Sequence, residues 1–140
     1  MKNLLKPQIS NQLKKSKKHF NYSFNKIITY DLSKGLDSLN EEELESLESF
    51  VSRFARISDI VIQKYFRILA MEKDPAYQGS VVDLLNFAEK WNWIQSAADW
   101  IRIRELRNLI AHEYSMDDFV SLYEDLKTLT PVILAISDEL

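Results

Sequence analysis

The chain has 140 residues, of which 46% are hydrophobic and 28% charged, a composition that fits one soluble globular domain over residues 1–140. Two glycines and three prolines are too few for a many-turned β protein or for a glycine-rich loop that binds phosphate. The absence of cysteine excludes disulfides, thiolate metal sites and a cysteine nucleophile. Because the net charge is −3, any binding to nucleic acid must be local.

Neither end of the chain predicts a targeting or membrane segment. The N-terminal sequence MKNLLKPQIS lacks an apolar stretch of signal-peptide length. The late apolar run VILAI is far too short to cross a bilayer. We therefore expect a cytoplasmic protein that does not contact a membrane.

Hydrophobic periodicity predicts two long helices in the first half of the chain. Apolar residues at three- and four-residue steps predict the first from about Gln8 to Asp31. Asn40, followed by three glutamates, is typical of a helix N-cap and an acidic first turn. The second helix should run from about Glu41 to Lys73, and Ser58 on its apolar seam indicates close approach by a neighbouring helix.

The sequence predicts the starts of three further helices. Ser80 with Asp83 opens one helix, and Ser96 with Asp99 opens another that we expect to extend from Ala97 to Ser115. The sequence SMDDF begins the last helix, in which Thr130 and Pro131 produce a kink or start a separate short helix. The predicted fold is all-α, an antiparallel up-and-down bundle of four to five helices with a long helix pair as its spine.

The helix from Ala97 to Ser115 carries an unusual set of polar residues. Its apolar arc consists of Trp100, Ile103, Leu106 and Ile110. Arg107 lies at the edge of that arc, and Tyr114, seven residues later, lies almost directly above Arg107. Asn108 and His112 share a different face. A buried charge without a partner is unfavourable. One interpretation is therefore structural: Arg107 binds a carboxylate or helix-end carbonyls, and His112 is an ordinary residue near a helix end.

The second interpretation comes from a family resemblance. Residues 97–115, AADWIRIRELRNLIAHEYS, resemble the signature helix of the HEPN superfamily, small all-α proteins that include RNA-cleaving toxins of prokaryotic toxin–antitoxin pairs. The family pattern is an arginine, then a polar residue that is usually asparagine, and later a histidine; here these are Arg107, Asn108 and His112. In the branch paired with minimal nucleotidyltransferases a tyrosine often follows, and Tyr114 matches it. The resemblance implies an endoribonuclease with an RNA substrate and a nucleotidyltransferase antitoxin.

The chemistry of these residue types suits RNA cleavage without a metal or other cofactor. An imidazole can take the 2′-OH proton near neutral pH, after which the oxygen attacks the adjacent phosphorus. A forked guanidinium can hold the phosphate, and Asn108 can orient His112 or bind the phosphate. Residues five apart on a helix diverge by about 140°, so Arg107 and His112 should converge only in a homodimer with two signature helices across a cleft. HEPN relatives are typically such dimers.

Several other expectations accompany this hypothesis. The resemblance implies that a partner nucleotidyltransferase adds adenylate to Tyr114 and silences the toxin. The lysine cluster is either a solvated face or an auxiliary RNA contact, formed by Lys14, Lys15, Lys17 and Lys18. Trp91, Trp93 and Trp100 are core or interface residues, or they stack on bases. A metal site is not expected, because His112 has no second histidine four residues on and His19 is distant in sequence.

Two non-enzymatic alternatives remain open. The chain can be the non-catalytic substrate-binding subunit of a nucleotidyltransferase, with Arg107 and His112 binding nucleotide or partner. It can also be a helical interaction protein in which the motif is residual.

Overall fold

A computed structural model describes residues 5–112 and 116–140, and within these residues the fold is all-α with no β-strand. The helices are α1 (Lys6–Ile27), α2 (Glu41–Asp59), α3 (Phe66–Lys73), α4 (Val81–Lys90), α5 (Ala97–Ile110) and α6 (Met116–Leu134). A π-helical segment, Ile60–Tyr65, joins α2 to α3 without a break, and a short 3-10 helix, Leu36–Ser38, precedes α2. The predicted all-α bundle is confirmed.

The predicted starts of α2, α4 and α5 are correct because each depends on local capping. Asn40, Ser80 and Ser96 each accept a hydrogen bond from the backbone N–H three residues later, which satisfies a donor that the first helical turn leaves free. The last helix begins at Met116, as the SMDDF sequence predicts, although Ser115 lies outside the described residues.

Helix α1 ends four residues earlier than expected. It stops at Ile27 rather than continuing to Asp31, because the chain there bonds outside the helix. The hydroxyl of Tyr123, on α6, donates to the carbonyl of Ile27 at 2.8 Å. The side chain of Asp31 accepts from the backbone N–H of Ser33, which forms a turn instead of a further helical turn.

Helix α1 and the rod from α2 through α3 form an antiparallel pair, the predicted spine of the bundle. Residues early in α1 contact residues late in the rod, and residues late in α1 contact residues early in it. They join Lys6 to Glu72, Gln12 to Lys64, His19 to Arg53 and Phe24 to Phe50. Helices α5 and α6 complete the bundle by packing on α2 and on each other, and α4 packs on α3 and α5.

The core is rich in aromatic rings. Phe20 of α1 stacks on Phe50 of α2 and meets Phe54 edge to face. Aromatic rings prefer these two arrangements when they pack together. At the other end, Trp100 meets Phe66 edge to face and is 1% exposed. Ser58 is buried as predicted, and its hydroxyl donates to the Phe54 carbonyl.

Two details of the long helices differ from a regular α pattern. In the π segment the N–H of Phe66 bonds to the carbonyl of Val61, a wider turn that local propensity does not encode. Pro131 lies inside α6, which continues to Leu134 as one helix. The alternative of a separate terminal helix is therefore wrong. No helix in the described part of the chain has the length and apolar character to span a membrane.

The buried phenol of Tyr123 should make the stability of the protein depend on pH in the alkaline range. Burial raises the pKa of Tyr123 well above its ordinary value of about 10. Above that pH the phenol ionises in the unfolded chain and stays protonated in the folded one, so the free energy of unfolding should fall as pH rises. We expect Tyr123→Phe to flatten this fall, while the lost hydrogen bond costs about 1 kcal/mol at neutral pH. Urea titrations across this pH range measure both effects, and parallel pH profiles for the two proteins would contradict the prediction.

Candidate functional site

Helix α5 carries Arg107 and Asn108, but it is shorter than predicted. It ends at Ile110, so the expected extension to Ser115 is wrong. The backbone N–H of Ala111 bonds to the Asn108 carbonyl, and that of His112 bonds to the Leu109 carbonyl at 3.1 Å. These bonds reach back only three residues, which tightens the last turn and ends the helix. His112 therefore lies just beyond the helix end rather than on its face.

Arg107 is held by a carboxylate from the long rod. Its Nε donates to Oδ1 of Asp59 at 2.8 Å, and a terminal nitrogen donates to Oδ2 at 2.9 Å. This two-point pairing fixes the plane of the guanidinium. The hydrogen bonds from Arg107 to Asp59 raise the pKa of Arg107, so the arginine stays charged. The pair is not sealed from water, because the side chains are 31% and 46% exposed.

Asn108 and His112 are both exposed. Among the described residues, the side chain of His112 has no hydrogen-bond partner, whereas that of Arg107 binds Asp59. No bond within the described chain joins Arg107 to His112. Tyr114, the predicted modification site, lies outside the described residues.

The lysine cluster is divided between two sides of α1. Lys14, Lys15 and Lys18 are exposed. Lys17 instead faces the C-terminal segment, where its Nζ donates to the Ile136 carbonyl at 2.6 Å and lies 3.7 Å from a carboxylate oxygen of Asp138. The four lysines therefore do not form one track, and Lys17 is already engaged within the fold.

The tryptophans belong mainly to the interior. Trp100 is buried, and Trp93 is half-buried against Phe66 and Phe87. The prediction of core positions is confirmed for these two. Trp91 is 43% exposed, and the ammonium of Lys73 lies over its ring at 4.4 Å from the centroid. That contact covers part of the ring with a cation.

Asp59 is the residue that sequence reasoning missed. The structural interpretation of Arg107 requires a carboxylate, and the chain offers 21 acidic residues. Asp59 is the last residue of α2 and directly follows the buried Ser58 of the seam. Its position next to the seam was the one feature of the sequence that pointed to Asp59. Only the packing of α5 on α2 identifies Asp59, rather than another acidic residue, as the partner of Arg107.

The described residues contain no group of three or more histidine or acidic side chains that could hold a metal ion. His19 lies on α1 and His112 follows α5, so the two histidines belong to separate elements.

No protein-family model, no curated protein and no solved structure matches this chain. The likeness to the HEPN signature consequently rests on the sequence motif of residues 107–114.

Proposed function

We propose that this protein is a metal-independent endoribonuclease of a toxin–antitoxin pair, acting through Arg107, Asn108 and His112. One observation carries the proposal: an oriented, charged guanidinium and two exposed polar side chains occur together at the end of one helix. A guanidinium has five N–H donors, and Asp59 takes two of them. The remaining donors bond to no other described residue, and in this proposal they bind a phosphate while Asp59 acts as a positioning residue.

The proposed reaction needs one base and one acid. His112 of one chain takes the proton of the RNA 2′-OH, and the 2′-oxygen attacks the adjacent phosphorus. The bond from phosphorus to the 5′-oxygen breaks, and the protonated His112 returns its proton to that oxygen, which gives a 2′,3′-cyclic phosphate and a 5′-hydroxyl. Arg107 stabilises the charge that develops on the phosphoryl oxygens. RNA cleavage measured in the presence of EDTA, by the wild-type protein and by His112→Ala, tests the proposal.

The proposed site is composite and needs a homodimer. Arg107 is anchored on the α2 side of α5 by Asp59, and His112 lies beyond the end of α5. Two copies related by a twofold axis would place the arginine of each chain near the histidine of the other.

The dimer gives a direct prediction about size. Light scattering after gel filtration should give twice the chain mass of 16.5 kDa. A mixture of two inactive variants, His112→Ala and Arg107→Ala, should recover cleavage, because a hybrid dimer has one intact pair of residues. A stable monomer at micromolar concentration that still cleaves RNA would contradict the composite site.

Tyr114 gives a prediction about control. We propose that a minimal nucleotidyltransferase partner transfers adenylate from ATP to the Tyr114 hydroxyl and releases pyrophosphate. The added phosphodiester would occupy the site by volume and pair with nearby positive charge. Incubation with the partner and ATP should add adenylate mass at Tyr114 and abolish cleavage. Tyr114→Phe keeps the ring and should escape both effects. Silencing of Tyr114→Phe, with adenylate elsewhere or absent, would contradict the proposal.

One observation favours a second function. Arg107 is already paired with Asp59 inside the fold, which is what a structural arginine would do. In this alternative the protein is a non-catalytic substrate-binding subunit of a nucleotidyltransferase, or a helical interaction protein with a residual motif. It then binds its partner but does not cleave RNA, and His112→Ala has no effect on growth of cells that express it.

A further inference from the structure

We propose that the groove between α1 and α2 binds the backbone of single-stranded RNA, with Tyr22 at its edge stacking on a base. This inference deepens the proposed function, for which RNA is the substrate, and it assigns a binding surface away from the signature residues. The groove has a volume of about 330 Å³. It is lined chiefly by Gln12, Lys15, Ser16, His19, Arg53 and Arg56.

Helix α1 is strongly basic. The helix Lys6–Ile27 contains six lysines and no acidic residue, although the whole chain has a net charge of −3. Positive charge is therefore concentrated on this helix, and the rest of the chain is correspondingly acidic. Such a local concentration attracts a polyanion even when the protein as a whole is negative.

The positive charge of the groove is not neutralised by neighbouring carboxylates of the described residues. A terminal nitrogen of Arg53 donates to the His19 carbonyl at 3.0 Å and to the Ser23 hydroxyl at 2.7 Å. Both partners are neutral, so they orient the guanidinium across the two helices without cancelling its charge. Within the described residues, no carboxylate forms an ion pair with Lys15, Arg53 or Arg56. Two of the three arginines of α5 differ in this respect, since Arg102 and Arg107 are both paired with carboxylates.

Acidic residues mark one end of the groove. Glu45 and Glu48 line an adjoining depression of about 390 Å³ that shares Arg53 and Arg56 with it. A bound polyanion should therefore keep to the α1 side of the groove, along Lys15 and His19, and avoid Glu45 and Glu48 of α2. At the opposite end of the groove, Lys64 bonds to the Gln12 side chain at 3.4 Å and adds positive charge.

Tyr22 of α1 indicates the class of ligand. Its side chain is 64% exposed, and it lies one helical turn after His19, which lines the groove. Lys15, His19, Tyr22 and Lys26 follow each other on α1 at steps of four, three and four residues, which places them in one row along the helix. Cations along a groove with an exposed ring between them are typical of single-stranded nucleic-acid binding. An acidic peptide would use the cations and leave the ring without a role.

Binding is best measured in a protein that does not cut the probe. We would use the His112→Ala protein and follow the anisotropy of a fluorescein-labelled oligouridylate at several KCl concentrations. Lys15→Glu with Arg56→Glu should weaken binding by about tenfold or more, and the salt dependence should become shallower by about 0.7 for each phosphate that the variant no longer neutralises. Tyr22→Ala should weaken binding by about tenfold, whereas Tyr22→Phe keeps the ring and should bind normally.

The matched control has the same change in net charge on other surfaces. Lys34→Glu with Lys90→Glu alters exposed lysines in the loop after α1 and on α4, and should leave oligouridylate binding nearly unchanged. Equal weakening in this control, full binding by Tyr22→Ala, or no binding by the parent protein at low salt would overturn the proposal. Tighter binding of polyglutamate than of oligouridylate would overturn it in favour of an acidic protein partner. Cleavage by the wild-type protein is scored separately, so failure of the groove and failure of the ribonuclease proposal are distinguishable.

Discussion

Replacement of His112 by alanine should lower the rate of RNA cleavage by about 10²- to 10⁴-fold, the range that a positioned general base or acid contributes. The side chain is exposed and has no hydrogen-bond partner among the described residues, so its removal should leave folding and dimerisation unchanged. Single-turnover cleavage of an end-labelled RNA measures the rate, and detection of a 2′,3′-cyclic phosphate identifies the reaction. Expression of the wild-type protein should arrest growth, and expression of His112→Ala should not.

A matched variant and a chelator complete this test. Asn86→Ala truncates an exposed residue of α4, away from the proposed site, and should cleave at the wild-type rate. EDTA should have no effect on either protein. Cleavage that persists in His112→Ala, or that stops when EDTA is added, would contradict the metal-free mechanism.

The parts of the fold that could be predicted from the sequence are those set by neighbouring residues. Asn40, Ser80 and Ser96 each cap a helix through a bond to a residue three positions away, so a short stretch of sequence contains the whole interaction. The buried faces follow from the same kind of reasoning, because burial at three- and four-residue steps defines one side of a helix. Trp100 and Ser58 are buried for this reason.

The parts that could not be predicted depend on contacts between distant segments. Helix α1 ends where the Tyr123 hydroxyl of α6 donates to the Ile27 carbonyl. No residue pattern near Ile27 in the sequence predicts that bond. The π segment after Asp59 also could not be predicted from hydrophobic periodicity, because its apolar residues keep the spacing expected of an α-helix. Local rules give the type of each element, whereas its exact ends depend on tertiary packing.

The candidate site illustrates the same division. Arg107, Asn108 and His112 were recognisable as a motif, but the partner of Arg107 is 48 positions away. The early end of α5 also changes the geometry, because the expected angle between Arg107 and His112 assumed a continuous helix. The lysine cluster looked like one patch in the sequence, yet Lys17 is bonded to the C-terminal segment. Arg53 and Arg56 of the groove form no ion pair with a carboxylate of the described residues. They lie on another helix, and no sequence motif indicated them.

Arg107→Lys should lower the cleavage rate by about 10²- to 10³-fold, the loss typical of removing one donor that stabilises transition-state charge. Lysine keeps the positive charge but cannot present two parallel donors to Asp59 while offering others to a phosphate. The change in stability should be small. Because the two side chains are 31% and 46% exposed, solvent screening limits the pair to about 1 kcal/mol or less. Urea titrations give the stability, and single-turnover assays give the rate.

The same helix provides the control that separates a catalytic from a structural arginine. Arg102 of α5 is also paired with carboxylates, at 2.8 Å from Asp125 and 3.1 Å from Glu105, but it lies outside the motif. Arg102→Lys should change stability about as much as Arg107→Lys and leave cleavage intact. Asp59→Asn should fall between them, because the guanidinium loses its orientation but keeps its donors. If Arg102→Lys and Arg107→Lys lower cleavage equally, or if each loss of rate matches the fraction of unfolded protein, Arg107 has only a structural role and the proposed ribonuclease loses its phosphate-binding group.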